Sequence, residues 1–215
     1  MPLVYALERS CNTPFGKIGM DLGYDRMAEQ AAKFGVGKPL AIPMSVSGSD
    51  VGPKEDQAAL AQASIGQRSN QMTPLQMAMI AAGIANDGKV MKPYLVQKIT
   101  DAKNDTIEEA EPEELSEAVS SETAAKLRQM MVSVVNNGTA SRAQISGVEV
   151  GGKTGTAQTV QGKAPHAWFI SFAPAQDPQV AVAVIVESGS AGTDASGGQT
   201  AAPIAKAVME AVLNK

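Results

Sequence analysis

The sequence predicts an α+β fold in which helices pack on an antiparallel sheet, and three observations carry that prediction. Three apolar, β-branched segments follow one another at 148–159, 167–173 and 180–187, with connections short enough for a meander. Two upstream segments repeat their apolar residues at helical spacing and carry capping signals at both ends. A last helical segment, 201–213, follows the third strand and can pack across the sheet.

Along the chain, residues 24–34 read as a helix that stops at Gly35. Residues 35–51 are rich in Gly, Ser and Pro and read as loop; a short helix is expected over 56–64. The clearest helix starts at Thr73, the N-cap, with Pro74 in the first helical position and Gln76 completing a capping box. Gly88, after Asn86-Asp87, ends it, and Met77, Ile80, Ala81 and Ile84 share its core face. A short strand is expected around 94–96. Ser120 or Ser121 caps a helix running to about Asn136, with Leu127, Met130, Met131 and Val134 inward and Asn137-Gly138 closing it. Asp177-Pro178 marks the turn between the last two strands, and Pro203 suits the first turn of the final helix.

Composition excludes several functions. The net charge of −4 conceals an asymmetry: residues 101–122 hold nine acids and one lysine, and the remainder is mildly basic. At 215 residues the chain can form one large domain or two small ones, and the acidic stretch reads as a solvated connector within it. The mild positive bias elsewhere is too small for nucleic acid. One cysteine permits no internal disulfide, and Cys11 reads as a small buried filler. The eleven methionines suit adaptable core packing. The longest apolar run, near 77–85, is about half of what a membrane span needs. Residues 1–10 are too short and wrongly charged for a signal peptide. His166 is the only histidine; with no second one to share a metal, it reads as structural. No metal or cofactor is expected. Trp168 reads as core, and Asp194 and Ser196 as surface.

The chemistry lies in Gly151-Gly152-Lys153-Thr154-Gly155-Thr156-Ala157. Acyl transfer on a serine needs a nucleophile, a base, oxyanion donors and a substrate clamp. On an edge strand, Lys153 places a positive charge in a cleft, and Thr154 and Thr156 offer hydroxyls to a carboxylate. Gly155 lets a substrate backbone lie flat. The Thr156 N–H can point at a developing oxyanion, a donor worth ~3 kcal/mol. Lys-Thr-Gly is one third of the signature of penicillin-binding proteins and serine β-lactamases. Ser10-Cys11-Asn12 fits a second third, Ser-x-Asn. There a hydroxyl can relay a proton and an amide can hold a substrate amide. The last third, Ser-x-x-Lys, is missing: no serine of this chain has a lysine three residues later.

A rival pattern overlaps the same residues. The run from Gly147 to Thr154 satisfies the phosphate-loop pattern G-x-x-x-x-G-K-[ST]. That loop must follow a buried strand and open a helix. Here Val148-Glu149-Val150 reads as strand, and Gly155, Thr156, Thr159 and Val160 make poor helix. The expectation is therefore a strand through Lys153.

Longer phrases carry a family resemblance. Ala63-Ser64-Ile65-Gly66-Gln67, Thr73-Pro74-Leu75-Gln76-Met77-Ala78, Asn137-Gly138-Thr139-Ala140, Gly152 to Gln158 and His166-Ala167-Trp168-Phe169 occur in order across most of the chain. Together they resemble the transpeptidase domain of class B penicillin-binding proteins, and within that class the short group often called penicillin-binding protein A. The resemblance implies the penicillin-binding and serine β-lactamase-like fold in incomplete form, with residues 1–215 as the C-terminal part of one transpeptidase domain and the acidic connector at 101–122 inside it. It implies a D,D-transpeptidase that cross-links peptidoglycan stem peptides and is acylated by β-lactams. It assigns proton relay to Ser10 and substrate orientation to Asn12. Lys153, Thr154 and Thr156 would hold the donor carboxylate, and the Thr156 N–H would join the oxyanion hole. It also implies that the nucleophile, the first strands of the sheet and a membrane anchor lie in a preceding N-terminal part, on the extracytoplasmic side. The chain alone is then expected to be inactive. The alternatives are a non-catalytic penicillin-recognition or sensor module and, less well matched by the phrases, a D,D-carboxypeptidase or β-lactamase.

Overall fold

The computed structural model describes residues 1–40, 42, 44–158, 164–188 and 196–214. It opens with five helices: α1 (Leu3–Glu8), α2 (Asn12–Leu22), α3 (Tyr24–Lys33), α4 (Gln57–Ala63) and α5 (Pro74–Ala85). The sequence reading placed no element before residue 24, so the first two are additions to it. Pro14 sits in the first turn of α2, where no N–H is needed. The glycines let α2 approach α4: a Cβ on Gly19 would lie 1.7 Å from Ser64 Oγ. Helix α4 is capped by Asp56, which accepts from the Ala59 N–H at 2.8 Å.

Helix α5 realises half of its capping box. Thr73 Oγ1 accepts from the Gln76 N–H at 3.1 Å. The Gln76 side chain does not return the bond; it is buried, and its Nε2 donates to the Phe34 carbonyl at 2.8 Å, tying the end of α3 to α5. Apolar residues line more than one side of this helix. Ala81 and Ile84 enter the core against the main sheet, and Met79 packs with Val90 and Ala118.

Four short strands follow: β1 (Lys89–Met91), β2 (Lys98–Thr100), β3 (Thr106–Glu109) and β4 (Glu114–Glu117). Antiparallel pairs form between β1 and β4 and between β2 and β3. Residues 94–96, expected as strand, form none and are exposed. Pro93 just before them offers no N–H to a ladder. The acidic stretch, read as a connector, carries β3 and β4; its charges stay solvated because every glutamate of the two strands is exposed.

Helix α6 (Ser121–Asn137) is capped by Ser120, which accepts from the Thr123 N–H at 3.3 Å, and it ends at Gly138. A 3-10 turn, Ser141–Ala143, leads to β5 (Gly151–Ala157), β6 (His166–Ala173) and β7 (Val180–Val186). A π-type turn, Gly197–Ala201, precedes α7 (Ala202–Leu213). The three strands form the expected antiparallel meander, ordered β5-β6-β7. Its first strand begins at Gly151, later than expected, because Gly147 at φ 76° turns the chain and Val148 bridges back to Ile145. The expected end of that strand, Thr159, lies outside the described residues.

One helix across the sheet was expected; helices cover both faces. Phe169 and Val182 face Ala202, Ala205 and Met209 of α7, while Ile170 and Phe172 face Ala81 and Ile84 of α5 and Met131 of α6. That is why the β6 sequence is apolar nearly throughout, without alternation. Glycines make room for its rings. A Cβ on Gly151 would lie 2.3 Å from the Phe172 ring, and one on Gly152 would lie 2.4 Å from that of Phe169. Among the described residues, β7 has a ladder partner on one side only. Ile204, Val208 and Val212, one helical turn apart on α7, are 46%, 43% and 38% exposed.

Candidate active site

Ser10 is placed by the way α1 ends. The Ser10 N–H donates to the Leu7 carbonyl at 3.1 Å and the Cys11 N–H to the Ala6 carbonyl at 2.9 Å. This pair of bonds is a Schellman turn, whose left-handed position usually falls to glycine. Here Ser10 occupies it at φ 52°. The turn is held on α6: Ser133 Oγ donates to Glu8 Oε1 at 2.5 Å, and the Thr139 N–H donates to the Glu8 carbonyl at 3.1 Å. A left-handed serine costs about 1 kcal/mol against glycine. Ser10→Gly is therefore expected to melt no lower than the parent chain in a thermal unfolding scan. A marked drop would mean that the hydroxyl, and not the turn, holds this corner.

Across from this turn, β5 carries Lys153. Its Nζ donates to Ser10 Oγ at 2.8 Å and to the Thr154 carbonyl at 2.7 Å. Burial pushes the pKa of this lysine down to about 8. The Thr154 and Thr139 hydroxyls are 2.7 Å apart. The Thr156 carbonyl accepts from Gln67 Nε2 at 3.0 Å, and the Gln158 N–H donates to Gln67 Oε1 at 3.3 Å.

The back wall is the Gly197–Ala201 turn. A Cβ on Gly197 would lie 2.0 Å from the Trp168 carbonyl oxygen, and one on Gly198 would lie 2.1 Å from that of Thr139. Only glycines let this turn lie on the strands. Between these elements lies a cleft of about 720 Å³. Ser10, Asn12, Lys153, Thr154, Gly155 and Thr156 all line it, so the residues singled out from sequence share one site. Lys153 lies within a strand and no helix starts there, which removes the phosphate-loop reading.

A profile of the penicillin binding protein transpeptidase domain matches residues 1–210. The chain belongs to this family. This penicillin-binding transpeptidase chain is 45% identical, over 98% of its length, to the peptidoglycan D,D-transpeptidase PbpA of Mycolicibacterium smegmatis. It is 43% identical over 97% of its length to the protein of the same name from Mycobacterium tuberculosis. It spans 43% of the length of each of these relatives. Its fold matches the ceftriaxone acyl-enzyme complex of M. tuberculosis penicillin-binding protein A with a TM-score of 0.95, covering 99% of this chain and 48% of the other at 43% identity. The penicillin G acyl-enzyme complex of that protein matches with a TM-score of 0.92, again at 43% identity and the same coverage of both chains. The resemblance to class B penicillin-binding proteins and the α+β transpeptidase fold are thereby established.

Other sequence readings fared unevenly. His166 is structural: its Nδ1 accepts from the Ser188 N–H at 2.9 Å, joining the start of β6 to the end of β7. Trp168 is half-buried, opposite Gly155, where an added Cβ would come within 3.1 Å of Trp168 Cβ. The strand pairing thus also favours glycine at 155. Cys11, read as buried, is half-buried. Ser196, read as plain surface, lines the cleft; Asp194 lies outside the described residues. Thr139 and Gln67 were not singled out as site residues, although both sit in phrases that carry the family resemblance. Among the described residues no group of three or more His, Cys, Asp or Glu could hold a metal, and no helix is long and apolar enough to cross a membrane.

Proposed function

We propose that this chain supplies the proton-relay and carboxylate-binding part of a serine D,D-transpeptidase that cross-links peptidoglycan stem peptides and is acylated by β-lactams. The observation that carries the reading is the Lys153–Ser10 bond within a cleft edged by Thr154 and Thr156. The names of the relatives and the acyl-enzyme complexes among the matched structures support it.

In the reaction a serine oxygen attacks the D-alanyl or lactam carbonyl carbon, and the carbon–nitrogen bond to the leaving amine breaks. Lys153 donates to the oxygen of Ser10, so the hydroxyl proton of Ser10 is free to pass to the leaving nitrogen. Lys153 then reprotonates Ser10 and is itself recharged by the proton that the attacking serine gives up on attack, passed on from the lysine of the Ser-x-x-Lys segment. Thr154 and Thr156 offer hydroxyls to the terminal carboxylate, with the Thr154 rotor set by Thr139. Asn12 holds a substrate amide. The attacking serine comes from polypeptide outside these residues, since no serine here has a lysine three positions on. The site works on the extracytoplasmic side of the plasma membrane.

A relay that starts from a protonated lysine has a pH signature. In protein carrying the Ser-x-x-Lys segment, β-lactam acylation is expected to fall as pH rises through about 8, where Lys153 loses its proton. The slope should approach about tenfold per pH unit. Acylation that stays level well above pH 8 would remove Lys153 from the donor role. The non-catalytic alternative predicts no acylation at any pH.

A further inference from the structure

Among the described residues, strand β5 has a ladder partner on one side only, β6, and its other edge borders the cleft. In a strand, the N–H and C=O of one residue point to one side and those of its neighbours to the other. The Thr156 carbonyl and the Gln158 N–H both meet the side chain of Gln67, so residues 154, 156 and 158 face the open edge. The Thr154 carbonyl on that edge is taken by Lys153 Nζ. The Thr156 N–H points to the same side, between the Lys153 and Gln67 bonds.

We infer that Gln67 is a positioning residue whose amide stands in for one residue of a neighbouring strand, aiming the Thr156 N–H into the cleft and ending the pairing edge open to substrate at Thr156. A neutral amide suits this place because it donates and accepts at once. The loop that carries it is braced from behind. The Gln67 N–H donates to the Gln62 carbonyl at 3.0 Å, and Asn70 Nδ2 donates to that of Ala63 at 2.8 Å. Gln67 is half-buried, and its two bonds bridge 89 and 91 positions of sequence. It joins the helical wall of the cleft to the sheet wall. What Thr156 acts on rests on the transpeptidase reading; the clamp itself rests on the two bonds alone.

The decisive variant is Gln67→Met, which keeps the length and removes both bonds. Two measurements separate the possibilities. In protein carrying the Ser-x-x-Lys segment, the acylation rate constant for a penicillin is expected to fall about ten- to a hundred-fold. The dissociation constant of the complex before acylation should hold, and so should the melting temperature. In the 215-residue chain, the Gln158 amide is expected to exchange with solvent faster in the variant. Unchanged acylation beside an acylated parent overturns the inference. So does a loss of rate matched by equal losses of affinity and melting temperature, which marks a purely structural role. If the parent is not acylated at all, the transpeptidase reading fails separately; unchanged Gln158 exchange then overturns the clamp as well.

Discussion

Lys153→Ala is expected to lower the rate of β-lactam acylation about a hundred-fold or more in protein that carries the Ser-x-x-Lys segment. Two losses combine. Removing a charge-assisted hydrogen bond costs about 1.5–3 kcal/mol, and removing a positioned proton donor costs about 10²–10⁴ in rate. The ammonium also bonds the Thr154 carbonyl, so the open edge of β5 loses one of its two braces. Lys126→Ala is the control. That lysine pairs with Glu122 at 2.6 Å on the outer surface of α6, a kind of pair worth ~0.5 kcal/mol at most. Stopped-flow acylation with a chromogenic β-lactam separates the two variants. Equal rates for both would take Lys153 out of the site.

Gly197→Ala is expected to give the largest loss of stability among substitutions at the cleft. The added methyl would lie 2.0 Å from the Trp168 oxygen, 2.7 Å from the Gly155 oxygen and 3.0 Å from the Gly155 nitrogen. All three are backbone atoms of strands β5 and β6, so no side chain can rotate away. Relief requires the turn to lift from the sheet, which opens the back wall of the site. Overpacking of this kind costs about 1–3 kcal/mol, or several degrees of melting temperature in a domain this size. Gly37→Ala gives the contrast. There, φ of 85° strains any side chain, but nothing lies within 4 Å, so the cost is about 1 kcal/mol and the cleft is untouched. Calorimetric melting of the two variants tests the distinction, and a Gly197→Ala chain as stable as the parent would show that the turn is free to move.

What could be read beforehand follows the range of the interactions. Helix α5 was legible because Thr73, Pro74 and Gly88 act on their own neighbourhood. The meander was legible because its strands are consecutive. The six candidate site residues could be picked out because short motifs carry them, though their meeting in one cleft needed the fold. The rest depends on partners far away in sequence. Gln76 looked like a local cap and instead reaches Phe34, and Gln67 reaches a strand on the other wall. Helix α2 was hidden because Gly16 and Gly19 lower helix propensity, while their value lies in the contact with α4. The left-handed turn at Ser10 carried no signal, since serine is an uncommon choice where glycine is the rule. The two acidic strands were masked by their charge, which suggested a solvated connector and is compatible with an exposed ribbon.

Peptide mapping after labelling with a fluorescent penicillin tests most directly whether these residues are the relay and clamp of an acyl-transfer site whose nucleophile lies elsewhere. The expected result is a single labelled serine within a Ser-x-x-Lys segment outside residues 1–215, and no label on the 215-residue chain alone. A covalent adduct on Ser10, or on any other residue of this chain, would contradict it.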